Sequence, residues 1–200
     1  MTVALYAIVE GHGEVQAVPL LLRCLAQECL ARYDLHVFPA HRISRGRILS
    51  GDHLERAAEL GRRRVSELGG VGGIILLLDA DDDCPAHLGP ALLARLRQAV
   101  PELTISVVLA KREYEAWLLA AARSLRRHAN VSETAEGPPH PEEVRGAKEY
   151  LEREILLPGL AYSETVDQVS LTAVMDLRAT LSCPSFAKLW RDFKALMTHR

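Results

Sequence analysis

The sequence predicts an α/β fold with a mostly parallel four-stranded sheet, helices on both faces and a C-terminal helical extension. Three observations predict it. Two apolar runs, residues 3–9 and 74–78, lack polar alternation, which is the pattern of strands covered on both faces. Stretches between them carry apolar residues at helical spacing. Strand and helix candidates then alternate as βαβαβαβ, an order that parallel strands and crossover helices satisfy.

Each element follows from its local pattern. Residues 3–9 form the first strand. Residues 14–32 form a helix with Val18, Leu21, Leu22, Leu25 and Cys29 on its apolar stripe, and Pro19 in its early part leaves the start open. Residues 35–38 make a short second strand, and the Arg-, Ser- and Gly-rich residues 42–51 a loop. Asp52 opens a second helix through Leu54, Ala57, Ala58, Val65 and Leu68, which Gly69, Gly70, Gly72 and Gly73 stop. Residues 74–78 are the third strand, 90–99 a helix and 103–109 the fourth strand. Tyr114, Trp117, Leu118, Ala121 and Leu125 share a helical stripe, and the last helix carries Phe186, Leu189, Trp190, Phe193 and Met197 after a Pro184-Ser185 start. The expected organisation is an α/β domain over 1–128, a linker or mobile loop over 129–141 marked by Gly137-Pro138-Pro139, and a helical extension over 142–200 packed on the core.

Bulk properties exclude several classes. A chain of 200 residues can bury one good core, and 48% hydrophobic with 25% charged residues is ordinary for a globular protein. A net charge of -2 exerts no global pull on nucleic acid or membrane, so affinity for a polyanion needs a local basic patch or a metal. The N-terminus lacks the basic lead of a secretory signal, and no apolar stretch reaches the length of a membrane span. The expectation is therefore a cytoplasmic protein without membrane contact. Cys24, Cys29, Cys84 and Cys183 show neither CxxC nor zinc spacing and read as thiols in a reducing compartment.

The chemistry lies in acidic residues at two strand ends. The first run stops at Glu10-Gly11-His12-Gly13-Glu14, the second at Asp79-Ala80-Asp81-Asp82-Asp83. On neighbouring parallel strands both sets lie on one sheet edge, where such folds bind ligands. Four or more carboxylates there repel one another unless a hard divalent cation such as Mg²⁺ or Mn²⁺ lies between them. Asp79 and Asp81 can point the same way at a strand end. Gly11 and Gly13 suit a tight turn with positive φ and close approach of a ligand. Other motifs fail: Cys84 and Pro90 occupy EF-hand positions that require Gly and Glu, and no phosphate loop accompanies the apolar run as an ATPase needs.

These residues carry a family resemblance. The E-x-x-x-E of Glu10 and Glu14 with the D-x-D of Asp79 and Asp81 resembles a Toprim domain, found in topoisomerases, primases and the overcoming-lysogenization-defect (OLD) nucleases. The fuller set resembles a Toprim-like bacterial family, DUF4276: Val9-Glu10-Gly11-His12-Gly13-Glu14, Leu78-Asp79-Ala80-Asp81, Arg112-Glu113-Tyr114-Glu115-Ala116-Trp117-Leu118 and Pro184-Ser185-Phe186. The resemblance implies that Glu10, Glu14, Asp79 and Asp81 hold one or two metals, with Glu10 and Glu14 also in acid–base roles. OLD-type enzymes add a later glutamate and a lysine. Glu115 or Glu113 supplies the former, with Glu115 preferred although periodicity does not choose; Lys111 or Lys148 supplies the latter. His12 and Asp83 stand as auxiliary site residues.

The implied reaction is metal-dependent hydrolysis of DNA or RNA, in a setting of phage defence, with an ATPase as partner protein. Two other classes stay open: a regulatory subunit of that ATPase whose metal site is structural, and a metal-dependent phosphatase on a small substrate. A polyanionic substrate needs basic flanks. Arg42, Arg45 and Arg47 in one loop are the best candidates for nucleic-acid binding, ahead of Arg62, Arg63 and Arg64 and of Arg123, Arg126 and Arg127, which read more readily as solvated helix faces.

Overall fold

The computed structural model describes residues 2–198. Its strands are β1 (Val3–Val9), β2 (Leu35–Val37), β3 (His41–Arg42), β4 (Gly72–Asp79) and β5 (Thr104–Ala110). Its helices are α1 (Glu14–Cys24), α2 (Arg45–Leu49), α3 (His53–Glu67), α4 (Pro85–Ala99), α5 (Glu115–Ala120), α6 (Ala122–Leu125), α7 (Ala147–Tyr150), α8 (Glu164–Thr172) and α9 (Pro184–Thr198). The sheet runs β2-β1-β4-β5 with all named pairs parallel, and β3 also pairs with β1. The α/β fold with its parallel sheet, flanking helices and C-terminal helix is as the sequence predicts.

The fifth strand has a local cause. β2 meets β1 at Val3 to Leu5, and β3 meets the same edge at Ile8 and Val9. They are two halves of one edge strand, interrupted at Pro39, which has no N–H to give to a ladder. What reads as a loop over 42–51 therefore holds the end of β3 and the short helix α2. One boundary also moves. α4 begins at Pro85 rather than Pro90, because proline is pre-organised for a first helical position. α1 starts at Glu14 with Pro19 inside it, and continues as a π-helical stretch, Leu25–Cys29.

The sheet separates two cores by simple alternation. On β1 and β4, Val3, Leu5, Ala7, Val9, Ile75 and Leu77 face one layer; Ala4, Tyr6, Ile8, Ile74, Leu76 and Leu78 face the other. The second layer is closed by α3 and α4. The first is closed by α1, α5 and the C-terminal extension, with α8 against α1 and α9 against β5. Val131 and Ala135, in the segment expected to be a linker, are buried in this first core, and Val131 bridges antiparallel to Leu156. Trp117 stacks edge-on against Phe186 at 5.2 Å, and its Nε1 donates to Ser185 Oγ at 2.8 Å. The E-A-W-L and P-S-F segments thus form the joint between the sheet and the last helix.

Candidate functional site

The C-terminal ends of β1, β4 and β5 deliver carboxylates to one sheet edge. Glu14 opens α1 and folds back over the turn, its Oε2 accepting the N–H groups of Gly11 at 2.8 Å and Glu10 at 3.1 Å. Gly11 and Gly13 do not have the expected positive φ. Gly13 is needed for a different reason: a Cβ there would overlap Gln168 Oε1 and the Glu164 carbonyl, so its bareness lets α8 rest on the turn. Asp79, half-buried at the end of β4, accepts the Tyr114 N–H at 2.8 Å and so ties β4 to the start of α5. Glu115 is fully buried; its Oε1 accepts Tyr162 Oη–H at 2.9 Å and Gln168 Nε2–H at 3.3 Å, and its Oε2 has no partner. Lys148, on α7, pairs with Glu164.

These three carboxylates perturb one another. Burial pushes Glu14 up to about 7 against the pull of its two amide donors, and Glu115 and Glu10 push it further. Burial also raises Asp79 well above the usual range; Glu14 and Glu115 add to this, while the Tyr114 amide and Lys148 oppose it. Glu115 is raised chiefly by burial, with Lys148 and Tyr162 holding it back. Burial works to lower Lys148, but Glu164, Glu115 and Asp79 override it and raise the ammonium.

A second acidic group lies outside the first. Arg45, from α2, donates to the Asp79 carbonyl at 2.8 Å and to Glu10 Oε2 at 3.3 Å, pairs with Asp83, and lies 3.7 Å from Asp81. Asp81 and Arg112 both have left-handed φ, 48° and 62°, and the Asp81 N–H donates to the Arg112 carbonyl at 2.9 Å. Aspartate tolerates that region and arginine rarely adopts it, so the paired turns after β4 and β5 store strain at the site. Glu10 links the two groups: its charge acts on Glu14, and Asp81 acts on it.

The remaining expected residues separate from the cluster. Lys148 is the lysine whose charge reaches Asp79 and Glu115. Lys111 instead lines an apolar cavity of about 420 Å³ between α4 and α9. Glu113 lies before α5 and shares a small cavity with Asp81, Asp82 and Arg145. His12 is exposed on the turn. Arg42 and Arg47 face a cavity beside α3. Two contributors escape the sequence reading: Tyr162 lies in irregular chain and Gln168 on a short helix, so no periodicity flags either. Arg45, expected with Arg42 and Arg47 as a nucleic-acid contact, instead turns inward onto the carboxylates.

No three His, Cys, Asp or Glu among the described residues stand close enough to enclose an ion as they are. The donor set nevertheless suits a hard divalent cation. It consists of carboxylate oxygens, it includes the orphaned Glu115 Oε2, and Glu10 and Asp81 keep the solvent access needed to turn. No described helix is long and apolar enough to cross a membrane. A family model described as "Domain of unknown function (DUF4276)" matches residues 9–194. No curated protein and no solved structure matches this chain.

Proposed function

This chain belongs to the DUF4276 family, and on that premise we propose that it is a divalent-cation-dependent phosphodiesterase that cuts nucleic acid from a Toprim-like carboxylate site. The observation that carries the reading is the convergence of Glu14, Asp79 and Glu115 from the ends of three adjacent strands, with one Glu115 oxygen left without a partner. Holding three carboxylates beside one lysine is costly unless protons or a cation neutralise them. The E-x-x-x-E after β1 and D-x-D after the neighbouring β4 support the relation to Toprim and OLD nucleases, and with it a setting of phage defence beside an ATPase.

A Mg²⁺ or Mn²⁺ held by Glu10, Glu14, Asp79, Asp81 and Glu115 would polarise a phosphoryl oxygen and activate water. The chain's own groups do the rest. Lys148 keeps a cation beside Asp79 and Glu115, where negative charge grows on the phosphoryl oxygens. Glu14, raised to about 7 when no cation is present, would release its proton on taking one up. Tyr162 and Gln168 fix the orientation of Glu115. Tyr114 is no nucleophile, because its hydroxyl is buried against Thr172 Oγ1 at 2.9 Å. Hydrolysis by water therefore replaces a phosphotyrosine route.

One observation favours a second reading, a subunit that works only with a partner: the donors do not enclose an ion unaided. The test is cleavage of single-stranded DNA, supercoiled DNA and RNA with Mg²⁺ or Mn²⁺. Cutting that EDTA and the Asp79→Ala/Asp81→Ala double variant abolish is the expected result. A folded protein that binds Mn²⁺ and cuts none of them would move the assignment to the partner-dependent subunit. Hydrolysis of a small phosphomonoester without polymer cleavage would move it to a phosphatase.

A further inference from the structure

The three arginine groups that stand out in the sequence meet different fates. Arg62 pairs with Glu59 and Glu102, Arg63 with Glu59, and Arg64 with Glu67. Arg123 and Arg126 share Glu136, and Arg127 donates to backbone carbonyls. These two groups are satisfied internally. In the third, Arg45 turns into the carboxylates, but the side chains of Arg42 and Arg47 have no hydrogen-bond or ion-pair partner among the described residues.

Arg42 and Arg47 line a cavity of about 340 Å³ with His41, Ser44, His53 and Arg56, and no carboxylate lines it. The carboxylates along α3 are engaged elsewhere: Asp52 pairs with Arg56 at 2.7 Å, Glu55 with Arg95 at 2.7 Å, and Glu59 with Arg62 and Arg63. His41 is held by the Tyr6 hydroxyl, which lies 2.7 Å from its Nδ1; with the tyrosine donating, the ring proton rests on Nε2 as a further donor. A concave wall of guanidinium and imidazole donors without an acid is matched to an anion, and the planar guanidinium fork is matched to phosphate oxygens.

Its place relative to the carboxylates narrows the ligand. Arg42 pairs across the sheet with Val9, one residue before Glu10, and its charge acts on Glu10. The strand that carries Arg42 is thus the neighbour of β1, about 4.8 Å away in the sheet direction, and the cavity begins there, beside the β1 turn. We propose that this cavity holds a phosphate of a nucleic-acid strand next to the phosphate at the carboxylates. The substrate class rests on the phosphodiesterase reading. It selects a polymer over a small monoester, which has no second phosphate to offer.

The test is fluorescence anisotropy with short single-stranded DNA and RNA oligonucleotides in EDTA, across a salt series. The Arg42→Gln/Arg47→Gln variant is expected to bind at least about tenfold more weakly, with a log–log salt slope shallower by about 0.7, because one phosphate contact is lost. Arg62→Gln/Arg63→Gln is expected to change neither. If 5′-phosphorylated strands bind more tightly and only the wild type distinguishes them, the cavity takes a terminal phosphate; equal binding with the same loss assigns it a backbone phosphate. The proposal is overturned by no measurable binding, by a folded Arg42→Gln/Arg47→Gln protein with unchanged affinity and slope, or by equal loss in the control. Because the assay contains no metal and reads no cleavage, it reports on the cavity even if the protein cuts nothing. The cleavage assay with its Asp79→Ala/Asp81→Ala control likewise stands apart from this result.

Discussion

Glu14, Asp79 and Glu115 share their turns with Glu10, Asp81 and Asp83, or lie on the strand end next to them, yet the two sets meet opposite surroundings. The inner three are turned toward the core, push one another's proton affinity up, and have one cation nearby, Lys148, which is itself tied to Glu164. The outer three reach solvent and gather on Arg45. Asp79 and Asp81 are two residues apart, and the left-handed turn at Asp81 sends them to different sets. Spacing along a chain assigns a residue to a loop; the turn geometry decides whether its charge is stored or screened. On the proposed reading, the ion and proton chemistry would centre on the inner set, with Glu10 and Asp81 reaching it from the outer one.

The largest expected effect divides the sets directly. Asp79→Asn and Glu115→Gln should each lower metal-dependent cutting on the order of 10³-fold, since each removes charge from a desolvated site. Asp83→Asn, on the solvated rim, should cost well under tenfold. Steady-state turnover together with Mn²⁺ titration calorimetry checks this. Equal losses in all three variants would erase the distinction between inner and outer carboxylates.

The next effect is on stability. Glu14 binds its proton more tightly in the folded chain, at about 7, than in the unfolded chain near 4.5. Between those values the folded state holds more protons, so stability falls as pH rises through the window. The contribution is fully present below about 4.5 and lost above about 7, and amounts to about 3 kcal/mol. Asp79 and Glu115 shift in the same direction. Asp34 and Glu59, held down to about 2 by Arg32 and by Arg62 with Arg63, titrate below this window and do not mask it. Denaturant unfolding of metal-free protein from pH 5 to 8 should show the decline; Glu14→Gln should flatten it, and Mn²⁺ should reverse it at pH 8. A flat profile in the unmodified protein would mean that the inner carboxylates are hydrated and bind protons no more tightly than in the unfolded chain.

Much of this frame is legible in the sequence, for physical reasons. Residues 3–9 and 74–78 can only be buried strands, because unbroken apolar runs have no solvent face to offer. The acids that end them then fall on one edge by topology alone. What escapes is whatever depends on long-range packing. The choice of Lys148 over Lys111 depends on how α7 docks, 37 residues beyond Lys111 in the chain. Glu115 over Glu113 depends on where α5 starts, and Asp79 sets that start by accepting the Tyr114 N–H. Gly13 looks like a turn glycine, but its reason lies in α8, about 150 residues away. The joint of Trp117, Ser185 and Phe186 is visible as motif pieces, while their meeting is not.

The smallest effect is the sharpest test of the outer set. Arg45 keeps partial solvent access and so do its partners, so Arg45→Ala should cost less than about 1 kcal/mol of stability. Its consequence for ion binding should be larger than that figure suggests. A guanidinium bonded to Glu10, Asp83 and the Asp79 carbonyl supplies the positive charge these acids demand, and in doing so competes with a divalent ion for them. Removing it should tighten Mn²⁺ binding several-fold in calorimetry, while Arg45→Lys, which keeps the charge, should stay near the unmodified value. Weaker binding in Arg45→Ala would reverse the roles: the arginine would then be holding the outer carboxylates in place for the ion, and the two sets would act as one site.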